Sequence, residues 1–480
     1  MPAEPFIRTA MLPQQAPPVS TTGPIAWIRQ NLLSSWLNAI LTVLSLLALY
    51  QFVMLALPWL LHGVWVADSL GECRDIIAAN FGPDAGGACW AVIRARWHQF
   101  IFGFYPPDLW WRPILCFAMM FVALMPVLYS DDPRNVRRVL IPLVVLTVLA
   151  LLAAGTPTVI LVLICLGLGA CLWLGGRRPL SLLPVTLLFP FFAVWMLWGG
   201  TVWGVIVALA GFFVLWGVYR LTSGRIGVVL ATVGGVAAAA IWWLLLDSYV
   251  VDALQSVMPL SIREVDSDKF GGFLLAFVIG VSSISISLPF GILLALGRQS
   301  NMPLIHGLAV GFIEFVRGVP LITMLFTASL LLQYFLPPQV QFDLILRVVI
   351  LVTLFSAAYN AEVIRGGLAA LPKGQYEAAD ALGLDYWQAQ RLIIMPQALK
   401  VSIPGIVNTF IGLFKDTTLV SFVGLMDPLR GVTAIVRADI NWKGIYWEPY
   451  LFVGAIFFLA CYGMSRYALY LERKLKTDHR

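Results

Sequence analysis

A chain of 480 residues that is 60% hydrophobic and only 12% charged, with a mean hydropathy of +0.87, exceeds the roughly 45–50% apolar content of soluble domains and excludes a water-soluble globular protein. Its 31 Lys and Arg outnumber its 25 Asp and Glu, but the bases lie in short loops between apolar stretches rather than in one patch, so no nucleic-acid partner is implied. Six cysteines are too few for a disulfide scaffold, and His62, His98, His306 and His479 lack metal-ligand spacing, so no metal site is expected.

Residues 1–36 open with Pro2, Pro5, Pro13, Pro17, Pro18 and Pro24 among polar neighbours and read as a mobile cytoplasmic tail rather than a signal peptide. Stretches of about 20 apolar residues, enough to cross a hydrocarbon core, then recur along the chain. They predict an all-α polytopic membrane protein with about twelve transmembrane helices, near 37–61, 113–129, 139–154, 157–175, 180–198, 200–219, 226–246, 270–297, 307–336, 345–366, 398–425 and 448–470. The first seven spans, 37–246, form an N-terminal block of Leu-, Val-, Trp- and Gly-rich helices with almost no ionisable residues, suited to packing and lipid contact. A polar stretch near 62–112 interrupts it, carrying Trp65, Trp90, Trp97, Trp110 and Trp111 and expected on the periplasmic side. Cys73 and Cys89 share that stretch and are either a disulfide or two free thiols. Cys116, Cys165, Cys171 and Cys461 lie in apolar segments and pack as small hydrophobes.

Residues 247–269, with Asp252, Glu264, Asp266 and Asp268, form a periplasmic connector to a second block, 270–475. Placing the N-terminus in the cytoplasm puts Arg134, Arg137 and Arg138, Arg177 and Arg178, Arg220 and Arg225, and Arg473, Lys474 and Lys476 on one side, as the positive-inside rule asks. Both termini are then cytoplasmic.

The second block differs from the first in carrying Glu314, Arg317, Glu362, Arg365, Lys415 and Asp416 within or beside spans, where charge is costly and therefore functional by default. Lys415, Asp416, Thr417 and Thr418 fall in the eleventh span; an ammonium and a carboxylate there either meet the two charged ends of a zwitterion or stabilise the bundle through ion pairs or interhelical contacts. Asn360 and Glu362 on the tenth span face the same alternatives, while Arg317 and Arg365 near helix ends read as snorkelling or structural pairs and as second-tier pathway residues. The segment GQYEAADALGLDYWQAQRLIIMP sits in a predicted cytoplasmic loop: Gln375 to Leu382 suits a short helix, Gly383 a tight reversal, and Pro396 the start or break of the next helix. A protruding helix–turn–helix of this kind suits docking into a soluble partner.

That segment, Glu377-Ala378-Ala379 followed by Gly383, Ile393 and Pro396, resembles the EAA loop of ATP-binding cassette import permeases, with Met395 where the pattern has Leu, a volume-conserving exchange. The resemblance extends over about 270–475 through GILLALGRQS, FVRGVPL, YNAEVIRGG, LPKGQYEAA and LFKDTTLVSFVG, the motifs of the polar amino-acid uptake (histidine/glutamine permease-like) branch. The long N-terminal block further resembles the large permease subunits of general L-amino-acid or glutamate/glutamine/aspartate/asparagine systems. The resemblance implies a five-helix type I importer core in a bacterial inner membrane, and a permease subunit that carries L-amino acids, or alternatively another small polar solute, from periplasm to cytoplasm. It implies that Glu377, Ala378, Ala379, Gly383 and Pro396 couple the chain to a dimer of ATPase subunits, which hold the ATP and Mg, and that the other partners are a second homologous permease and a periplasmic amino-acid-binding protein. The chain itself has no GxxxxGK[ST] phosphate loop, so it is expected to bind no nucleotide and to be no enzyme. No nucleophile–base constellation for intramembrane catalysis can be assembled from its spans.

Overall fold

The computed structural model describes residues 23–130, 132–335 and 343–475; residues 1–22 of the tail, Lys476 and His479 lie outside the described residues. It is helical nearly throughout. Eleven helices among the described residues are long and apolar enough to cross a membrane, or twelve if one bent pair counts as a single span. The chain divides into two compact units, Met1–Ala95 and Arg96–Arg480.

The first unit holds α1 (Gly23–Asn31), a helix inside the segment expected to be a tail, and α2 (Trp36–Leu61). Ser35 caps α2 by accepting from the Asn38 amide, and no side chain of α2 is buried, as a helix apolar on every face requires when its solvent is lipid. The polar stretch after α2 is structured rather than a plain loop. α3 (Leu70–Phe81) is capped by Ser69, and Cys73 is joined to Cys89 by a disulfide. His62 stacks on Phe81, and Trp90 packs between Trp59 and Trp65.

α4 (Ala91–Phe102) leads into the second unit, where α5 (Trp111–Leu128), α6 (Pro133–Ala153), α7 (Thr158–Arg177), α8 (Leu183–Trp198), α9 (Val202–Ile226) and α10 (Val228–Ile241) follow. Large side chains from α5, α6 and α7, including Met125, Leu140, Leu151 and Leu168, make one apolar core. The connector is partly helical: α10 continues through a π turn, Trp242–Leu246, into α11 (Asp247–Val257), so Asp247 and Asp252 ride on a helix rather than a loop. A two-residue ladder, β1 (Gly200–Thr201) with β2 (Ser261–Ile262), then ties the connector to the α8–α9 turn.

The second block comprises α12 (Gly272–Arg298), α13 (Pro303–Gly318), α14 (Leu321–Phe335), α15 (Leu344–Ala369), α16 (Lys373–Ala381), α17 (Tyr386–Ala389), α18 (Met395–Asp416), α19 (Pro428–Ala438) and α20 (Trp447–Leu475). α12 packs along α15, and α15 along α18, through small residues that let backbones approach: a Cβ on Gly291 would come within 2.7 Å of the Asn360 Cβ, and one on Gly367 within 2.6 Å of the Ala398 carbonyl. The ninth span predicted over 307–336 is instead two helices, α13 and the described part of α14, bent by 99°. Pro320 explains the break, because it drives Val319 out of the helical region, to φ −105° and ψ 132°.

The two blocks are not separate in packing. Cys116, Met196 and Leu197 of the first share an apolar cluster with Leu275, Ile279, Val348 and Leu413 of the second. Gly103 pairs with Phe270 and Gly271 with Met426 in isolated bridges, and Gly272, at φ +58°, donates its amide to the Met426 carbonyl at 2.8 Å. Arg112, buried in α5, donates to the Arg263 carbonyl, and Tyr105 donates to the Leu197 carbonyl. α19 is amphipathic, burying Gly431, Val432, Ile435 and Val436. Its cap, Asp427, is fully buried and accepts from the Leu429 and Arg430 amides; burial pushes its carboxyl up to about 6 against the pull of those bonds.

Candidate functional site

Two places on the second block hold the residues singled out from sequence. The first is a cavity of about 260 Å³ between α15 and α18, lined by Phe355, Ser356, Tyr359, Thr409, Gly412, Leu413 and Asp416. Asp416 ends α18 where the chain tightens into the 3₁₀ turn Thr417–Val423, so its carboxylate enters the cavity from a helix end. Among the described residues no base stands within ion-pair distance of it. Lys415 lies exposed on another face of the same helix, as neighbouring helical residues must. The Thr417 and Thr418 hydroxyls bend back to the Phe414 and Lys415 carbonyls at 2.7 and 2.9 Å and do not line the cavity. Asn360 is fully buried at the α12–α15 seam, donating to Ser287 at 3.2 Å, and its carbonyl oxygen, like the Ser356 and Thr353 hydroxyls, finds no partner among the described residues.

The second place is a charge network one helical turn along α15. Glu362 is shared by three guanidinium groups: Arg298 at 3.1 Å, Arg317 at 3.6 Å and Arg365 at 2.8 Å from its Nε. The same Arg298 Nη1 also donates to Glu314 at 2.9 Å, and the Arg298 carbonyl meets His306 Nδ1 at 2.7 Å. Three bases against two acids leave the cluster positive. It abuts the cavity, since the Arg317 guanidinium lies 5.7 Å from the ring centre of Tyr359, a lining residue and a distance at which the ring quadrupole attracts a cation. Arg317 and Arg365 are thus paired, and Glu362 belongs to the network rather than to the cavity lining.

Sequence reasoning did not single out Arg298, Tyr359, Ser356 or Thr409 as site residues. A signal existed in the recurrence of Thr353, Ser356 and Asn360 at helical spacing within a span, which marks one polar seam.

The loop between α15 and α18 carries the third feature. α16 exposes Glu377 and Ala378 and buries Ala379, and Gly383 turns at φ +69°. Leu382, Tyr386, Trp387 and Leu392 are exposed beside them, an apolar surface on a segment that is otherwise polar. Asp385 and Gln388 close a reciprocal capping box that starts α17. Pro396 stands in the first turn of α18, which follows α17 through a π turn, Gln390–Ile394.

The geometry is that of a polytopic helical membrane protein with ionisable groups between its helices and an exposed helical hairpin. The chain belongs to the binding-protein-dependent transport system inner membrane components, whose family model matches residues 287–477, in the branch of amino-acid ATP-binding cassette permeases. Over 99% of both chains it is 58% identical to a glutamate/glutamine/aspartate/asparagine transport system permease protein of Rhodobacter capsulatus. It is 32% identical, over 95% of both, to an inner membrane amino-acid ABC transporter permease protein of Escherichia coli K12. A solved amino acid ABC transporter with histidines is similar at 30% identity over 42% of this chain and 91% of that one, with a TM-score of 0.38. Both full-length relatives span the N-terminal block as well as the core. The chain is therefore a transmembrane permease subunit of an importer and not an enzyme, and proteins of this family work with ATPase and substrate-binding partners.

Proposed function

We propose that this permease carries acidic amino acids and their amides inward across the inner membrane, with both termini in the cytoplasm. The observation that carries the substrate class is the full-length match at 58% identity to a permease of that specificity. The orientation is supported from two directions: arginines cluster in the loops assigned to the cytoplasm, and the Cys73–Cys89 disulfide on the opposite side belongs in an oxidising compartment. In this account the ammonium of the substrate meets Asp416, while the positive cluster beyond Tyr359 draws its carboxylates. Asp416→Asn in the reconstituted complex is expected to lower uptake about tenfold, the equivalent of one lost charge interaction, with assembly unchanged. Equal uptake by the variant would remove Asp416 from the pathway.

The hairpin α16–α17 is the coupling element in this proposal, its exposed Glu377, Ala378, Leu382 and Gly383 seated in a cleft of the ATPase and Ala379 and Pro396 holding its shape. A second homologous permease completes the pathway, and ATP and Mg reside on the ATPase pair. Leu382→Asp, a change at an exposed position, is expected to leave insertion and melting temperature intact while uptake falls about tenfold and co-purification of the ATPase weakens. Normal uptake would show that this surface does not transmit the stroke. Uptake of a broad amino-acid panel measures the specificity directly; transport of a different small polar solute with no amino acid accepted would replace the substrate class.

A further inference from the structure

α6 opens with Arg134, Arg137 and Arg138, and α7 closes with Arg177, followed at once by Arg178. The two helices pack together and have 21 and 20 residues, each enough to cross a hydrocarbon core once, so the five guanidinium groups stand at one membrane boundary. Counting spans onward through α8, α9, α10–α11 and α12 puts that boundary on the side of Arg298 and of the hairpin α16–α17. Arg134, Arg137 and Arg138 share one face of α6, and exposed Ile141 and Val145 continue the same stripe toward the membrane interior. The Arg137 side chain crosses α7 at Gly176: a Cβ there would meet its Cγ at 3.0 Å and its Nε at 3.7 Å. Arg177, the next residue, holds its guanidinium 4.0 Å from the ring centre of exposed Trp173. All five arginines are exposed, and none forms an ion pair among the described residues. The elements that meet here do not offset them. Asp132 engages its Oδ1 with the Arg134 and Asn135 amides, the 3₁₀ turn Pro179–Leu182 carries no charge, and Asp131 lies outside the described residues. The end of α20 is held here by Tyr467, which donates to the Leu128 carbonyl at 2.8 Å, and by Asn135, which donates to Tyr470 at 3.4 Å. It adds exposed Arg466, Arg473 and Lys474 against Glu472 alone.

We infer that the adjoining ends of α6 and α7 bind the phosphodiester headgroup of an anionic glycerophospholipid, with Arg137 and Arg177 as its principal contacts and Arg134, Arg138 and Arg178 around them. A guanidinium fork matches two oxygens of a phosphodiester, and an anion between these groups relieves the repulsion of like charges that no carboxylate of the chain relieves. The occupant follows from depth. The exposed side chains just inward of the bases, Ile141, Val145 and Leu174, are apolar, so the ligand that meets the guanidinium groups also brings hydrocarbon to these residues, as a lipid with its acyl chains does. Free phosphate or an acidic protein surface satisfies the bases alone. With the orientation proposed above the lipid belongs to the cytoplasmic leaflet; its binding depends neither on the substrate nor on the direction of transport. The contacts of Tyr467 and Tyr470 place it where the N-terminal block meets the last helix of the core.

The test titrates the purified whole complex with phosphatidylglycerol labelled on one acyl chain, read as energy transfer from tryptophan, with equally labelled phosphatidylcholine as the comparator without net charge. The wild type is expected to bind phosphatidylglycerol about tenfold more tightly than phosphatidylcholine. Arg137→Ser/Arg177→Ser should lose that preference with an unchanged melting temperature, since both positions are exposed. Arg137→Lys/Arg177→Lys, which keeps the charge and loses the forks, should weaken phosphatidylglycerol about threefold. Arg220→Ser/Arg225→Ser removes the same charge from the end of α9, and the preference should survive it. Four results overturn the site: no preference in the wild type, an unchanged preference in the Arg137→Ser/Arg177→Ser variant, full binding by the lysine pair, or equal loss in the Arg220→Ser/Arg225→Ser variant, which would reduce the effect to diffuse surface charge. Displacement of the labelled lipid by glycerol 3-phosphate, a headgroup without acyl chains, also overturns it, in favour of a site for soluble phosphate.

Discussion

Glu362→Ala is expected to abolish uptake and to destabilise the helix bundle by about 2 kcal/mol. Glu362 is the shared acceptor of Arg298, Arg317 and Arg365, so its removal leaves three guanidinium groups crowded with only Glu314 to oppose them. Breaking a fully buried ion pair costs about 3–5 kcal/mol, mostly from the charge left behind. Glu362 is 21% exposed and Arg298 23%, so water recovers part of that cost. The sign is unaffected, because like charges on α12, α13 and α15 then repel across the interface they now bind. Uptake suffers more than stability, since Arg317 loses the acceptor that holds it against Tyr359 and the cavity. Melting of the purified complex together with uptake separates the two effects. Adding Arg317→Met to Glu362→Ala should recover stability but not transport, because it removes the excess charge without restoring the geometry. Wild-type melting and uptake in Glu362→Ala would reduce the network to an incidental surface cluster.

Gly272→Ala is the second large effect, at about 2–4 kcal/mol. Gly272 opens α12 at φ +58°, where an L side chain costs roughly 1–2 kcal/mol, and a Cβ there would come within 2.6 Å of the Phe100 carbonyl carbon. The obstacle is backbone, so no rotamer change relieves it, and overpacking adds about 1–3 kcal/mol. Gly103, at φ +67°, faces Gly271 as tightly. These three glycines let the end of α4 lie against the start of α12, so the substitution acts where the two blocks meet. Gly454→Ala in α20 is the control: nothing stands within 4 Å of its added methyl, and alanine is the better helix former by about 1 kcal/mol. Similar melting of both variants would mean that the close approach at Gly272 does not hold the blocks together.

Much of the fold was readable because each span carries its own signal. The hydropathy of α2, α7 or α12 is a local property, and lipid imposes a fixed length on it. The short helix before Gly383 was readable too, because a positive φ at the end of a helix favours glycine. The departures have identifiable physical causes. Pro320 splits the ninth span through its effect on Val319, a constraint present in sequence but outweighed by the length of the mostly apolar stretch around it. The π turn Gln390–Ile394 joins α17 to α18 directly before Pro396, and the sequence carries no mark of a turn that widens by one residue. The site was less legible than the fold. Asp416 and Lys415 are neighbours in sequence, yet one lines a cavity and the other is exposed, because helical rotation separates adjacent side chains by about 100°. The partners of Glu362 come from three helices, and Arg96 pairs with Asp439 across 343 residues of sequence. No spacing rule joins residues that meet only after packing.

The central claim is that this chain forms the membrane pathway of an ATP-driven amino-acid importer, and uptake by the reconstituted complex tests it most directly. Proteoliposomes containing the permease pair and the ATPase inside, with binding protein and radiolabelled glutamate outside, are predicted to accumulate label only when ATP is enclosed. Glutamine, aspartate and asparagine should compete. Accumulation that is equal with and without ATP, or absent for every amino acid in a complex shown to be assembled, would contradict the account.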